Sequence, residues 1–203
     1  MTTFGDNKEI KVRLTFIDEV LGMMPGDPQI HENYIASKAP DASTIEEEVA
    51  AVGVEEVVEK SRTVFPRTPD GRPFIYDYQI RGMFKDAIGM LRKLSNSECA
   101  KLKNYKKLID GHVFVNERMN PFQLAGEMGN CQRPLRAETA QGARIALANS
   151  ETVPAGSTVE FTILLLDEKL EKAIRECLDY GRLRGMCQWR NSGKGRFTWE
   201  ELK

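Results

Sequence analysis

The sequence predicts an α+β domain built on an antiparallel sheet, and three observations support this fold class. Apolar and polar residues alternate at 10–16 and at 159–165, as in strands with one buried face. Apolar residues recur at helical spacing at 80–94 and at 170–178. The two patterns follow each other in one chain of 203 residues, which is long enough to bury the core of a single domain.

The first strand is predicted at Ile10 to Phe16, and a helical insertion is predicted at about 22–62. Asp27 followed by Pro28 is a typical helix start. A second start at Ser43 precedes a run of glutamates, which is favourable at the N-terminal end of a helix. The insertion therefore need not belong to the central sheet.

A core helix is predicted from about Tyr78 to Leu94. Gly82 and Gly89 within it each cost roughly 1 kcal/mol relative to Ala, which suggests close packing or the close approach of another chain at those positions. A short strand follows at His112 to Val115. Residues 117–150 then carry several Pro and Gly residues and are predicted to form a long irregular excursion, with a hairpin as the alternative.

The C-terminal third predicts a central strand, a second helix and a closing strand. Asp167 caps the helix, and Gly181 stands where a C-terminal glycine belongs. Phe197 and Trp199 alternate in the closing strand. The resulting order contains a βαββαβ core, which is the ferredoxin-like or RNA-recognition-motif (RRM-like) arrangement. We therefore predict a single domain over 1–203.

A basic glycine-rich loop lies between Tyr180 and Trp199, where no Asp or Glu occurs. Glycines let a polyanion approach the backbone, and guanidinium groups bind phosphate in a bidentate manner. One interpretation is a nucleic-acid surface exposed across the face of the sheet, and the other is a solvated turn. The five cations of the loop are Arg182, Arg184, Arg190, Lys194 and Arg196.

Composition and charge are ordinary for a globular protein, with 41% hydrophobic and 29% charged residues and a net charge of −1. No apolar run is long enough to span a bilayer, so we predict a cytoplasmic protein without a membrane partner. Its four cysteines show no zinc-binding spacing, and Cys177 is interpreted as a core residue. Acidic residues concentrate near 46–59, and basic residues concentrate at 101–107 and near the C-terminus.

The sequence resembles the RAMP superfamily, the repeat-associated proteins that include the RNA-coating backbone subunits of CRISPR effector complexes. Residues 72–87 resemble the family's entry into a first helix with small residues, 151–167 resemble its turn and central strand, and 183–197 resemble its signature glycine-rich loop. The chain departs from the family pattern at residues 76–79, Tyr-Asp-Tyr-Gln, where Pro-Gly-Ser-Ser is frequent.

The resemblance implies a protein without a cofactor that holds single-stranded RNA through its backbone, beside other subunits of a ribonucleoprotein or beside further copies of itself. Tyr76, Tyr78 and Trp189 are candidates for base stacking. The residues assigned to RNA are Arg81, Lys85, Arg182, Arg184, Trp189, Arg190, Asn191, Ser192, Gly193, Lys194 and Arg196.

Two alternatives to a non-catalytic protein remain at this stage. One is an endoribonuclease that uses His31 as a general base or Asp18 in metal-assisted cleavage. The other is a protein that imitates a CRISPR subunit or sequesters a nucleotide, in defence or anti-defence. Neither catalytic residue stands in a recognisable motif, and no residue set predicts a metal site. The sequence therefore favours RNA binding without catalysis.

Overall fold

The computed structural model describes residues 7–26, 62–139 and 142–203, with side chains outside 135–147. The chain divides into two compact units. The first comprises Met1–Val20, Pro66–Glu127 and Val153–Lys203, and the second comprises Leu21–Phe65 and Met128–Thr152. The predicted helices of the insertion, and His31 with them, lie outside the described residues.

The described elements are eleven strands and three α-helices. The strands are β1 (Lys8–Phe16), β2 (Val20–Leu21), β3 (Met24–Pro25), β4 (Thr63–Val64), β5 (Phe74–Tyr76), β6 (Val113–Val115), β7 (Met119–Gln123), β8 (Gly129–Thr139), β9 (Gly142–Val153), β10 (Thr158–Leu165) and β11 (Phe197–Glu201). The helices are α1 (Asp77–Leu91), α2 (Tyr105–His112) and α3 (Glu171–Arg184).

The sheet of the first unit has the strand order β11-β1-β10-β7-β5, and β6 also pairs with β10. The pairings of β1 with β10 and β11, and of β10 with β6 and β7, are all antiparallel. With α1 and α3 as its two crossovers, this order is that of a ferredoxin-like βαββαβ core, to which β5 adds an edge strand. The predicted fold class is confirmed.

The core lies between the sheet and the helices α1 and α3. Ile10, Val12, Leu14 and Phe16 of β1 are at most 1% exposed, because period-two alternation turns all four to the same face. The inward residues of β10 and the apolar stripes of α1 and α3 complete this core. They are Val159, Phe161, Ile163, Leu165, Ile80, Met83, Phe84, Ala87, Ile88, Leu91, Ala173, Ile174, Cys177 and Leu178.

Three sequence-based expectations about the helices are wrong. The first helix ends at Leu91, and Leu94 is exposed because the chain leaves the helix before reaching it. His112 is the last residue of α2 rather than the start of a strand. Gly181 lies inside α3, and the residue that ends this helix in a positive-φ conformation is Gly185, with φ of 74°.

The opposite face of the sheet is polar and is not covered by α1 or α3. Arg13 of β1 lies between Glu160 of β10 and Glu200 of β11 and donates hydrogen bonds to both carboxylates, at 2.7 and 2.9 Å. Glu117 accepts hydrogen bonds from the backbone and side chain of Thr162 on the same face. This face therefore presents more carboxylates than free cations.

The second unit contains a five-stranded sheet in the order β2-β9-β4-β3, with β8 antiparallel to β9. Polar side chains join its strands. Ser150 of β9 is hydrogen-bonded to Thr63 of β4 at 2.7 Å and to Arg133 of β8 at 3.2 Å. Glu151 accepts a hydrogen bond from the Phe65 amide at 3.0 Å. Residues 117–150, predicted as an excursion, thus include β7, β8 and most of β9.

Two of the described cysteines, Cys99 and Cys177, are buried in the core. Cys177 is fully buried, as predicted, and its Sγ lies 3.8 Å from the Sγ of the buried Cys99. The hydrogen bond to Cys99 and burial together raise the pKa of the Cys177 thiol, so it stays protonated. None of the described helices is both long and apolar enough to cross a bilayer.

Candidate nucleic-acid interface

The glycine-rich segment, residues 185–196, forms a closed loop between α3 and β11, which we name the C-terminal loop. The Met186 amide donates a hydrogen bond to the Gly195 carbonyl at 3.0 Å, which joins the two ends of the loop. The Gly195 amide donates to the Glu19 carbonyl, and the Ile17 amide donates to the Arg196 carbonyl. The loop is therefore fixed to the residues that follow β1.

The glycines at the two ends of the loop allow its own backbone to pack closely. A Cβ on Gly195 would lie 2.1 Å from the Met186 carbonyl oxygen, and one on Gly185 would lie 2.6 Å from the Lys194 carbonyl oxygen. Both glycines have positive φ. Gly193 also has positive φ, but a Cβ there would meet nothing closer than 3.6 Å. Of these three glycines, Gly193 is the one at which a ligand could approach the backbone.

Four of the five cations predicted for the loop are paired with carboxylates of the same chain, and two of the five, Arg182 and Arg184, lie in the last turn of α3. Asp86 of α1 accepts hydrogen bonds from Arg184 at 3.1 Å and from Arg190 at 2.8 Å. Arg196 pairs with Asp18 at 2.7 Å, and Lys194 pairs with Glu19. Arg182 is exposed, and no carboxylate of the described residues forms an ion pair with it.

These pairs place the loop beside α1 and the end of β1, and not across the open face of the sheet as the sequence led us to expect. The physical reason is charge neutralisation, because Asp86, Asp18 and Glu19 lie next to the loop in the fold. Five cations against three carboxylates leave a local charge of only +2.

The remaining loop residues present one aromatic ring and several polar groups. Trp189 is 37% exposed, has φ of 57°, and has the Lys194 Nζ 5.9 Å from its ring centroid. Asn191 accepts a hydrogen bond from Arg184 at 2.7 Å, and Ser192 is exposed. Burial raises the pKa of Cys187 to about 12, so this thiol is not a nucleophile at neutral pH.

The two basic residues predicted on α1 are also paired. Arg81 pairs with Asp77 at 3.4 Å, one helical turn earlier, and Lys85 pairs with Asp110 of α2. Neither lies among the contacts of the C-terminal loop. The structure therefore distributes the predicted RNA residues over two places, the loop and the exposed side of α1.

A third group of side chains combines two stacked tyrosines and an arginine where β5 meets α1. The rings of Tyr76 and Tyr78 are stacked, with centroids 5.1 Å apart and planes 18° apart. The Arg118 Cζ lies 5.2 Å from the Tyr76 centroid and 5.5 Å from that of Tyr78. Arg118 is held by an ion pair with Asp77. We name these three residues, Tyr76, Tyr78 and Arg118, the tyrosine cluster.

The tyrosine cluster faces solvent. Tyr78 is 47% exposed, and the Arg118 side chain is 64% exposed. Burial of its remaining surface raises the pKa of Tyr78, so the phenol is neutral at physiological pH. The sequence predicts the tyrosines as candidates for base stacking but not Arg118, because no local signal links residue 118 to residue 78. The pairing of β5 with β7, which places Tyr76 opposite Met119, is what brings Arg118 there.

The candidates for catalysis are not assembled into a reactive site in the described residues. The Asp18 and Glu19 carboxylates are engaged by Arg196 and Lys194. Within residues 7–26, 62–139 and 142–203, no three His, Cys, Asp or Glu side chains are grouped as a metal site would require. His112 is exposed at the end of α2.

Solved structures of other proteins resemble this chain. One is a chain of the cryo-EM structure of the type III-B Cmr-β bound to cognate target RNA, with a TM-score of 0.53 and 13% sequence identity over 97% of this chain. Another is the crystal structure of Cmr6 from Pyrococcus furiosus, with a TM-score of 0.43 and 12% identity, covering 95% of this chain and 98% of that one. No family profile and no curated protein matches the sequence.

The first of these similarities supports the α+β fold class predicted from the sequence. This chain spans 59% of the length of that neighbour. At 13% identity the similarity is one of fold, so any role must be argued from the side chains described above.

Proposed function

We propose that the chain is a RAMP-type protein of the cytoplasm that binds single-stranded RNA without cleaving it and contacts other subunits of a ribonucleoprotein. The neighbour with the same fold belongs to a complex bound to target RNA, which supports this class of ligand. Because one fold serves many functions, the proposal depends on the surface of this chain.

The observation that carries the proposal is the tyrosine cluster. Single-stranded RNA exposes the faces of its bases, and aromatic side chains and arginine guanidinium planes stack on them. Tyr78 offers a neutral, exposed ring that Tyr76 supports from behind, and Arg118 offers a cation beside it for the adjoining phosphate. Both components of single-strand binding are thus present in one small area.

The C-terminal loop contributes a second, weaker contact in this proposal. Trp189 and Ser192 of the loop are exposed, and so is Arg182 in the last turn of α3. Arg190 and Arg196 must exchange a carboxylate for a phosphate. This exchange costs least at Arg196, whose ion pair with Asp18 is more exposed than the pair of Arg190 with Asp86. The pairs also hold the side chains in place before RNA arrives.

The proposal contains no cleavage step. Asp18, the acidic candidate for metal-assisted cleavage, forms a hydrogen bond and an ion pair with Arg196 at 2.7 Å. A cation held this close competes with a metal ion for the carboxylate. We expect end-labelled RNA to keep its length on incubation with the protein and Mg²⁺, and shortened products that disappear with Asp18→Ala or His31→Ala would contradict this.

The experiment that tests RNA binding measures the affinity of a fluorescent single-stranded RNA by anisotropy at low salt. Replacing Tyr78 by Ala should weaken binding by about 1–3 kcal/mol, the value of one base stacked on an aromatic ring. Tyr78→Phe should retain the affinity, because it keeps the ring face and removes only the hydroxyl.

The matched control is Phe114→Ala, which removes an exposed aromatic ring from the polar face of the sheet. We expect this variant to bind RNA like the parent chain, since Glu160, Glu200 and Glu117 surround that face with negative charge. Equal losses for Tyr78→Ala and Phe114→Ala would show that the tyrosine cluster has no special role, and no binding by the parent chain would refute the proposed function.

A further inference from the structure

The connector between α1 and α2 carries a group of cations that have no acidic partner among the described residues. Five exposed side chains belong to it, and we name them the connector patch. None of the five forms an ion pair with a carboxylate of the described residues. They are Arg92, Lys93, Lys103, Lys106 and Lys107.

The connector patch differs in charge from the rest of the chain. Between residues 92 and 107 there are six cations, and Glu98 is the single acid, which Lys101 neutralises at 2.7 Å. Six minus one leaves +5 in a protein whose net charge is −1. In the C-terminal loop taken together with the last turn of α3, three carboxylates reduce five cations to +2. Of these two basic regions, the connector therefore has the larger uncompensated positive charge.

The fold shapes the connector patch into a concave surface. Asn104 has φ of 53° and begins α2, which turns the chain between Lys103 and Lys106. Arg92, at the end of α1, lies 5.3 Å from the ring centroid of Tyr105 and is held there by a cation–π contact. The residues that line this cavity of about 560 Å³ are Arg92, Lys103, Asn104, Tyr105, Lys106 and Lys107.

The chemistry of the patch fits a phosphate chain better than a protein. Lysine ammonium groups are compact, strongly hydrated point charges that bind phosphate, and protein–protein interfaces are depleted in lysine. The patch has a single aromatic ring, Tyr105, and that ring is already engaged by Arg92. The ligand that suits such a surface is the charged and hydrated phosphodiester backbone of a nucleic acid.

We infer that the connector patch binds the phosphodiester backbone of RNA, as a contact surface separate from the tyrosine cluster and the C-terminal loop. This inference rests on the proposed function, because it supplies a further contact for the same single strand. Lys103, Lys106 and Lys107 carry the contact, and Arg92 with Tyr105 forms the wall of the groove.

The test compares the parent chain with the triple variant Lys103→Ala, Lys106→Ala, Lys107→Ala over a range of salt concentrations. Each phosphate contact on a single strand contributes about 0.7 to the slope of log affinity against log salt. The triple variant should therefore bind RNA about tenfold more weakly at low salt, with a slope shallower by about 2. The triple variant with Arg at the same positions should keep both affinity and slope.

The matched control removes three exposed lysines from other elements, with Lys11→Ala, Lys169→Ala and Lys203→Ala. It changes the net charge equally and should leave the salt slope within error of the parent. Thermal unfolding of all variants at equal midpoints confirms that the fold is intact.

The outcomes separate this inference from the proposed function. Equal affinity and slope for the connector triple variant and the control, with RNA still bound by the parent chain, would overturn the inference and leave the proposed function standing. A parent chain that binds no RNA at about 50 mM salt, where phosphate contacts are strong, would overturn both. Loss of binding in the Arg variant as large as in the Ala variant would also contradict it.

Discussion

At the scale of single residues, two helical glycines have opposite surroundings. A Cβ on Gly82 of α1 would meet no atom within 4 Å, whereas a Cβ on Gly181 of α3 would lie 2.0 Å from the ring of Phe197. Gly181 is therefore required for α3 to pack against β11, and Gly82 has no packing role in the described structure. The sequence suggests close packing or the approach of another chain at Gly82 and Gly89. Close packing is wrong for Gly82 within the described residues, whereas a Cβ on Gly89 would lie 3.0 Å from the Tyr105 hydroxyl. The approach of another chain at Gly82 stays a prediction.

This contrast predicts opposite effects of the same substitution. Gly82→Ala should stabilise the fold by up to about 1 kcal/mol because it removes backbone freedom from the unfolded chain, and it should raise Tm by about 2–4 °C. Gly181→Ala should destabilise by about 1–3 kcal/mol through overpacking. Thermal melts of the two variants, followed by circular dichroism, check both signs, and a lower Tm for Gly82→Ala would contradict this view of α1.

At the scale of elements, Glu176 ties the turn before α2 to α3. Its carboxylate accepts hydrogen bonds from the Ser97 hydroxyl at 2.7 Å and from the Cys99 amide at 3.1 Å. Burial raises the pKa of Glu176, and these hydrogen bonds lower it by a larger amount. The pKa therefore lies below its ordinary value of 4.5. Because this pKa is depressed, Glu176 stabilises the fold fully above pH 4.5, and this contribution is lost as the pH falls through the pKa of Glu176 in the folded protein.

Glu176→Gln should therefore reduce the stability of the protein at pH 7 and change it less at pH 3.5. The expected loss at pH 7 is about 1 kcal/mol, since a hydrogen bond to a charged acceptor is stronger by this amount than one to a neutral amide. Urea unfolding at the two pH values measures the free energies. The exposed Glu168→Gln is the control, and a Glu176→Gln deficit that is equal at both pH values would show that the charge is unimportant.

The elements differ in how well the sequence predicts them. Strands β1 and β10 and helices α1 and α3 follow from periodicity, because each buries one regular face. The end of α3 was misplaced at Gly181, since a glycine after an apolar stripe resembles a helix end, and its contact with Phe197 is invisible in sequence. The order of the elements then led correctly to the ferredoxin-like core.

The candidate site was predicted less well than the fold. The composition of the C-terminal loop was evident, but its partners Asp86, Asp18 and Glu19 lie up to 178 residues away. Local patterns contain no information about such neutralisation. Arg118 and the connector patch are also recognised only in the fold. The pairing of β5 with β7 brings Arg118 to the tyrosines, and the connector cations stand out because they have no acidic partner among the described residues.

At the scale of the whole molecule, the distribution of charge favours RNA binding at the connector and near β7 over binding at the open sheet face of the first unit. The open face holds Arg13 between Glu160 and Glu200, whereas exposed cations lie at the connector and near β7. Contacts made by stacking and phosphates are tolerant of base identity. The chain is therefore expected to read the form of RNA rather than its sequence.

This expectation leads to a test with three RNAs of equal length. Two single strands of unrelated sequence should bind with equal affinity, within about threefold, and a duplex should bind more weakly because its bases cannot be splayed onto Tyr78. Competition anisotropy at one salt concentration measures the ranking. A strong preference for one sequence, or for the duplex, would contradict the mode of contact proposed here.

The hydrogen bond between Met186 and Gly195 has a consequence for engineering and for divergence. It closes the stem of the C-terminal loop, so residues 187–194 can change in length without transmitting the change to α3 or β11. Doubling the length of a flexible loop costs only about 0.6 kcal/mol. A peptide tag or a foreign recognition segment inserted there would be displayed on a rigid scaffold, and homologous chains can diversify at this point at little risk to folding.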